Sequence, residues 1–389
     1  MTAEQLSALL GQTGTPAYVF DLDAFAARAQ AVRDAFTDKI GLCFSIKANA
    51  FLLKHLPEQF DRIEVCSPGE LTICEKTGMD MEKVIFSGVN KTAPDVARAV
   101  ADNVGVLTAE SLLHVRLINE EALRQGKKVL LLLRLTAGSQ FGMDEEEVLS
   151  TIRNRDRLGG VEIVGLHFFS GTQKRKLSVI EKELAYLDGF CGRVLEQTGF
   201  AVRRIEYGTG LGVEYFKPDY DAVENERLSE TAALLKPFAE MDELTVEMGR
   251  FFAAPCGYYL TKVIDCKTNR GVHYAILDGG LHQLKYDGQL QGMQIPPILH
   301  IKTSPGAEEA KWTLCGSLCT TADVIARDVP LASLCEGDVL VFCRTGAYSV
   351  TEGMANFLSR ELPSVTLVSA AFGAETVRPI LRTDVFNTP

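Results

Sequence analysis

The sequence is short of basic residues: 40 Lys and Arg stand against 51 Asp and Glu, a formal net charge of −11. Nucleic acid and anionic membrane surfaces are bound by clustered Lys and Arg, so this balance argues against both as partners. Long apolar runs are missing too. Val129–Leu133 is far below the roughly 20 residues of a membrane-spanning helix, and it ends at Arg134. Met1 to Gly14 has no basic start followed by an apolar stretch, so a signal peptide is not expected. There are ten cysteines but no CxxC pair, and Cys315 and Cys319 have no second pair to complete a structural zinc site. The thiols read as reduced, in a cytoplasmic protein with no metal site.

What is present is a rhythm. At 389 residues the chain exceeds the roughly 250–300 at which single cores stop growing, so two domains or a barrel with an appendage are expected. Short β-rich apolar runs recur at Cys43–Ile46, Arg62–Cys66, Lys83–Phe86, Val104–Leu107, Val129–Leu133, Ile163–Phe168, Arg204–Tyr207 and Leu244–Glu247. Helix-patterned segments lie between them, among them Ala109–Gln125, Lys176–Thr198 and Tyr220–Met241. Eight such alternations suit a closed (β/α)8 TIM barrel. An open doubly wound sheet shows the same alternation, but its dinucleotide fingerprint should open the first unit, and Ser45–Ala50 contains no glycine. After Glu247 the runs Tyr258–Asp265, His273–Leu277, Val339–Phe342 and Val365–Ala370 follow without long helices between them. The expectation is an α/β chain with a barrel over 21–247 and an all-β domain from 1–20 and 248–389, with Ala17–Phe20 as a further strand.

Barrel enzymes carry their reactive groups where the strands finish. The first expected strand ends in Lys47, the sixth in His167 followed by Ser170-Gly171-Thr172-Gln173, the seventh in Gly208-Thr209-Gly210-Leu211-Gly212, and the eighth in Glu247-Met248-Gly249-Arg250. A lone Lys47 reads as a snorkelling surface amine. Beside Phe44, Ile46 and Ala48 it has little water, which favours Schiff-base chemistry. The glycine loop is either a tight turn or a cradle of N–H groups for phosphate. Arg250 is either an ion-pair residue or a phosphate ligand. Glu247, buried without a partner, would be costly and should face a cation. His167 reads as a satisfied core histidine.

Together these motifs resemble the fold-type III pyridoxal-phosphate decarboxylases, the diaminopimelate, ornithine and arginine decarboxylase group, over about Thr15 to Val368. Phe44-Ser45-Ile46-Lys47-Ala48-Asn49 is similar to the family's cofactor-lysine motif, and Cys66-Ser67-Pro68-Gly69-Glu70 to its Ser-x-Gly-Glu segment. Gly208-Thr209-Gly210 stands at its phosphate glycines, and Glu247-x-Gly249-Arg250 at its Glu-Pro-Gly-Arg. Cys319-x-x-x-Asp323 resembles the reactive-cysteine segment, and Gly346-Ala347-Tyr348 the motif whose tyrosine contacts phosphate. The resemblance implies an alanine racemase-like fold and pyridoxal 5'-phosphate bound as a Schiff base at Lys47. It also implies Glu247 at the pyridine nitrogen, and Gly208, Thr209, Gly210, Thr172, Arg250 and Tyr348 around the phosphate. Cys319 is implied as proton donor, reaching the barrel from the other subunit of a homodimer.

The departures bear on substrate. Phe169 stands where the family places a histidine over the ring, a loop pattern closer to decarboxylases of siderophore and antibiotic pathways. Thr320 replaces the acid that would pair with a distal ammonium. The arginine expected near Asp278-Gly279-Gly280 has no match, Lys285 being the nearest cation, and Gln140 replaces a lysine that pairs across the dimer. The expected activity is decarboxylation of an amino acid: diaminopimelate-like, ornithine- or lysine-like, or a larger carboxylated amine. A racemase on the same fold would face the ring nitrogen with arginine, not Glu247, and a non-catalytic homologue would be expected to lose Lys47 or Cys319.

Overall fold

The computed structural model describes residues 1–36, 38–240, 243–303 and 309–389. The chain divides into two compact units: Ala29–Gly212 with Ala222–Phe251, and Met1–Arg28 with Val213–Asp221 and Phe252–Pro389. Val213–Asp221, inside the expected barrel segment, thus clusters with the second unit.

Helix α1 (Ala3–Thr13), strand β1 (Ala17–Asp21) and helix α2 (Leu22–Phe36) open the chain. Then β2 (Ile40–Ser45), β3 (Arg62–Val65), β4 (Val84–Phe86), β5 (Val106–Ala109), β6 (Val129–Arg134), β7 (Val161–Phe169), β8 (Arg204–Gly208) and β9 (Glu243–Met248) form a closed barrel in sequence order. β2 pairs in parallel with both β3 and β9, which closes the ring. Parallel strands under a helical layer are covered on both faces and so read as near-continuous apolar runs. This is why all eight were visible in sequence.

Several helices start where short polar side chains cap them. Ser67 accepts from the Glu70 N–H at the start of α3 (Pro68–Lys76), while the Glu70 carboxylate accepts from the Cys66 N–H at 2.6 Å. Thr92 and Asp95 form a reciprocal capping box on α4 (Ala93–Ala101). The ring continues through α5 (Leu112–Arg124), α6 (Glu145–Arg153) and α7 (Leu177–Thr198) to α8 (Tyr220–Leu235). Met241, the expected end of the last helical segment, lies outside the described residues.

The second unit holds a nine-stranded sheet. β1 lies in its middle, antiparallel to β10 (Gly257–Asn269) and parallel to β16 (Ser364–Ser369). β11 (Val272–Leu277), β13 (Glu309–Cys315) and β14 (Val324–Ala332) extend one side, and β17 (Gly373–Arg378) the other. β15 (Val339–Cys343) joins β10 to β12 (Ile298–Ile301). Four of these strands, β12, β13, β14 and β17, were not foreseen. β13, β14 and β17 mix exposed with covered residues, as sheets wetted on one face do, β12 is half-buried throughout, and polar residues interrupt the apolar signal. Leu6 of α1 packs on Val19, Leu260 and Val341, so the unforeseen first helix is part of this unit's core. Among the described residues, no helix is long and apolar enough to cross a membrane.

Candidate active site

Lys47 sits on a single 3-10 turn, Ile46–Ala48, immediately after β2. Its neighbours Phe44, Ile46 and Ala48 are buried, as anticipated, but its amine does not meet an apolar wall. Nζ lies 2.8 and 3.1 Å from the two oxygens of Glu64, 3.4 Å from Glu247 Oε1 and 3.5 Å from Cys66 Sγ. Glu64 is the third residue of β3, only 2% exposed, and the sequence analysis did not single it out. Cys66 Sγ is 2.9 Å from Glu64 Oε1; burial and then the Glu64 charge push its thiol well above the ordinary range.

Glu247, near the end of β9, has the cation that its burial demanded, and more. Oε1 accepts from Ser45 Oγ at 2.8 Å, and Oε2 is 3.1 Å from His167 Nε2. Burial by itself would raise this carboxyl, but Lys47, His167 and Ser45 together hold it well below the usual carboxylate range. His167 is therefore not merely a core histidine: one ring nitrogen serves Glu247, and Nδ1 finds no partner among the described residues. Glu206, in the middle of β8, is likewise buried and was not anticipated. Neither of its oxygens has a hydrogen-bond partner among the described residues; burial, then the charges of Glu247 and Glu64, push it up.

The loops after β7 and β8 are held against each other. The Lys174 N–H donates to Gly210 O at 2.8 Å, and the Gly212 N–H to Lys174 O at 3.1 Å. Gly210 has φ +61°, and a Cβ there would lie 2.0 Å from Gly171 O, so the loops approach only because this residue has no side chain. Phe169 pairs with Gly208, and a Cβ at Gly208 would fall 2.4 Å from the Phe169 ring. Thr209 is buried behind this turn, while Thr172 stands exposed on the β7 loop. Beneath them Glu183 of α7 accepts from Lys174 Nζ at 2.7 Å, from the Tyr207 hydroxyl at 2.6 Å and from Ser170 Oγ. Sequence reasoning missed this anchor, since Glu183 lies on a helix among many charged residues. Arg250 opens the short helix α9 (Arg250–Ala253) after β9.

The barrel unit thus gathers Lys47, Phe169, Thr172, Gly208, Thr209, Gly210, Glu247 and Arg250 at the C-terminal ends of its strands. Cys319 and Tyr348 belong to the sheet unit. Cys319 is an exposed free thiol, and Tyr348 is half-buried with φ +66°. Lys285, the nearest cation to Asp278-Gly279-Gly280, is occupied by Glu352 at 2.8 Å.

A lysine amine beside an ionised buried carboxylate, with a main-chain cradle that no Cβ can enter, suits an aldehyde cofactor bearing a ring nitrogen and a phosphate. A parallel barrel with this donor set, joined to a β-sheet unit, defines a fold-type III pyridoxal-phosphate enzyme. The chain belongs to the pyridoxal-dependent decarboxylases, whose pyridoxal binding domain matches residues 22–254. It is 27% identical to L-glutamyl-[BtrI acyl-carrier protein] decarboxylase of Niallia circulans, over 92% of this chain and 90% of that one. It is 28% identical to 2-[(L-alanin-3-ylcarbamoyl)methyl]-2-hydroxybutanedioate decarboxylase of Staphylococcus aureus, over 89% and 92%. The crystal structure of Helicobacter pylori diaminopimelate decarboxylase with L-lysine shares the fold, with a TM-score of 0.84 at 22% identity over 98% of both chains. The protein is an amino-acid decarboxylase, and its cofactor is pyridoxal 5'-phosphate.

Proposed function

We propose that this decarboxylase acts on an α-amino acid whose distal end is an acyl or amide group and not an ammonium. In this reading Lys47 carries the cofactor and Cys319 returns a proton to Cα. The observation that carries the substrate reading is the state of Asp323, the one acid in Cys315–Asp323. It is 2% exposed, and its oxygens accept from the Leu281 and Leu318 N–H groups, each at 2.8 Å. Gly280 and Gly316 make room for it: a Cβ at either would lie 2.6 or 2.3 Å from an Asp323 oxygen. A carboxylate engaged by its own main chain is not available to a substrate ammonium, and Thr320 beside Cys319 offers only a hydroxyl dipole. The two relatives named for a glutamyl group on a carrier protein and for an alanine joined through a carbamoyl link support the same reading.

Bound pyridoxal phosphate supplies the electron sink for the pair left at Cα when CO2 departs. Glu247, kept ionised by its neighbours, is suited to hold a proton on the ring nitrogen, and so favours decarboxylation over the weaker sink of a racemase. Gly208, Thr209, Gly210, Thr172, Arg250 and Tyr348 anchor the phosphate, and the Phe169 face packs on the ring. The thiol of Cys319 is the acid for Cα, delivered across a homodimer in which each site takes Cys319 of the partner subunit. The test is CO2 release from a panel of both hands: diaminopimelate, lysine and ornithine against glutamine, γ-glutamyl amides and a carrier-bound γ-glutamyl thioester. We expect kcat/KM at least tenfold higher for an acyl- or amide-ended substrate; best turnover of a diamine overturns the reading. Cys319→Ala should slow turnover or divert it to a ketone by-product, and a fully active monomer would rule out the shared site.

A further inference from the structure

We propose that the barrel, before it takes up its cofactor, is a divalent-cation site with His167, Glu206 and Glu247 as its three protein ligands. The strand register builds it. Glu206 is in register with His167 on β7 and with Thr245 on β9. Side chains two apart on a strand share a face, so Glu247 points the same way as Thr245. The three candidate ligands therefore face one another from adjacent strands, and each offers one ligating atom, all within 4.8 Å of one another. His167 Nε2 and Glu247 Oε2 are 3.1 Å apart, the separation expected of neighbouring ligands that each sit about 2.1 Å from one ion. No sequence spacing announces such a site, because three different strands supply the ligands.

Glu206 makes this cluster more than a chance meeting of polar groups. It is 1% exposed, it faces His167 and Glu247, and neither of its oxygens has a hydrogen-bond partner among the described residues. His167 Nδ1 is buried and unpartnered among them as well. Buried polar atoms are nearly always paired, and a bound ion is one of the things that pairs them. The charges say which kind of ion. Glu64, Glu206 and Glu247 are three buried carboxylates, and among the described residues the cation that bonds within this group is the Lys47 amine. Arg204, further back on β8, is paired with Glu243. With all three acids ionised, two negative charges are in excess, and a dication balances them.

One imidazole nitrogen with two carboxylate oxygens suits zinc, cobalt or manganese over magnesium and calcium, whose ligand sets are oxygen alone. Three protein ligands fill only part of a coordination sphere and leave the rest to water. The way in is from the barrel mouth, where the Lys47 side chain is 34% exposed. An ion and a protonated ring nitrogen cannot share the Glu247 carboxylate. On the reading that Glu247 faces that nitrogen, the cation and the cofactor exclude one another, and the ion competes with cofactor loading.

The test is dialysis of cofactor-free wild type, Glu206→Gln and His167→Gln against cobalt or zinc, with the cobalt spectrum recorded and circular dichroism as the folding check. We expect the wild type to hold one ion per chain, with a ligand-field spectrum of nitrogen and oxygen donors and no sulfur charge-transfer band. Each variant should bind at least about tenfold more weakly, since even losing an outer-shell partner costs a metal site that much. An excess of magnesium or calcium should not displace the ion. No ion on the wild type, a sulfur band that puts it on cysteines, displacement by magnesium, or undiminished binding by a folded variant would overturn the proposal. If neither variant folds, the stoichiometry and spectrum of the wild type decide. Pyridoxal phosphate added to the cobalt protein should release the ion. An ion retained by protein that has taken up the cofactor would keep the cation site and refute Glu247 at the ring nitrogen.

Discussion

Removing Glu183 should unseat the loops after β7 and β8 while leaving every residue proposed to meet the cofactor in place. The Lys174 and Glu183 side chains are 6% and 11% exposed, so their 2.7 Å contact is a buried ion pair. Taking away one partner of such a pair costs about 3–5 kcal/mol, because a buried charge is left behind. Glu183→Ala also strips the acceptor from Tyr207 and Ser170, so its cost belongs at the upper end of that range. Glu183→Gln keeps an acceptor oxygen for only one of the two hydroxyls, which meet different oxygens of Glu183, but it fills the space and should cost less than Glu183→Ala. The sign of the pH dependence follows from Lys174. Burial lowers its folded pKa, and Glu183 opposes that. Without Glu183 the folded protein holds the proton less tightly than the unfolded chain does, so stability must rise with pH. The deficit of Glu183→Gln should therefore be large at pH 7 and shrink as pH climbs towards about 10, the ordinary lysine range. Urea unfolding of the cofactor-free protein at several pH values reads this directly, and cofactor affinity should fall at least tenfold. If Glu183→Ala unfolds within about 0.5 kcal/mol of wild type, below any buried-pair cost, the anchor argument is wrong.

Lys47→Ala should abolish turnover and leave no cofactor covalently fixed after borohydride reduction; full activity with the cofactor still coupled would refute the assignment. Gly210→Ala should destabilise the barrel by about 1–3 kcal/mol, through a positive φ and a Cβ placed on Gly171 O, and weaken cofactor binding at least tenfold in an absorbance titration. Glu247 has a depressed folded pKa, so its stabilising contribution is present above the unfolded value of about 4.3 and is lost as pH falls below it. Urea midpoints of wild type and Glu247→Gln should accordingly differ most near pH 6–7 and converge below about pH 4.

The barrel was legible because parallel strands covered on both faces write themselves as apolar runs, and Val129–Leu133 is such a run. β13 and β14 were not, because Lys311, Arg327 and Asp328 sit on partly wetted strands and break the pattern. At the site, Lys47 and Glu247 were visible as polar residues at strand ends. Glu64 and Glu206 were missed although a signal existed: an acid inside a strand that is otherwise buried cannot be there for solubility. Arg62-Ile63-Glu64-Val65 and Arg204-Ile205-Glu206-Tyr207 both carry that anomaly. His167 was assigned to the core because burial is legible in sequence, whereas the partner that burial requires is not. Glu183 left no signal at all. It reaches the site by tertiary packing, and its sequence neighbours look like any solvated helix face.

The position of β1 sets a timetable. Ala17 pairs with Ser364, so a strand made among the first residues waits for one made near the end. At about 5–20 residues per second that interval is roughly 20–70 s of synthesis. Every ladder of the barrel is complete once Met248 has been made, while β1, in the middle of the sheet, can gain β10 on one edge from Gly257 onward but keeps its other edge open until residue 364 and beyond. Lys47 is therefore housed before the unit carrying Cys319 exists. A chain cut short after the barrel would leave Ala17–Asp21 as an apolar strand with both edges open, which is a template for aggregation.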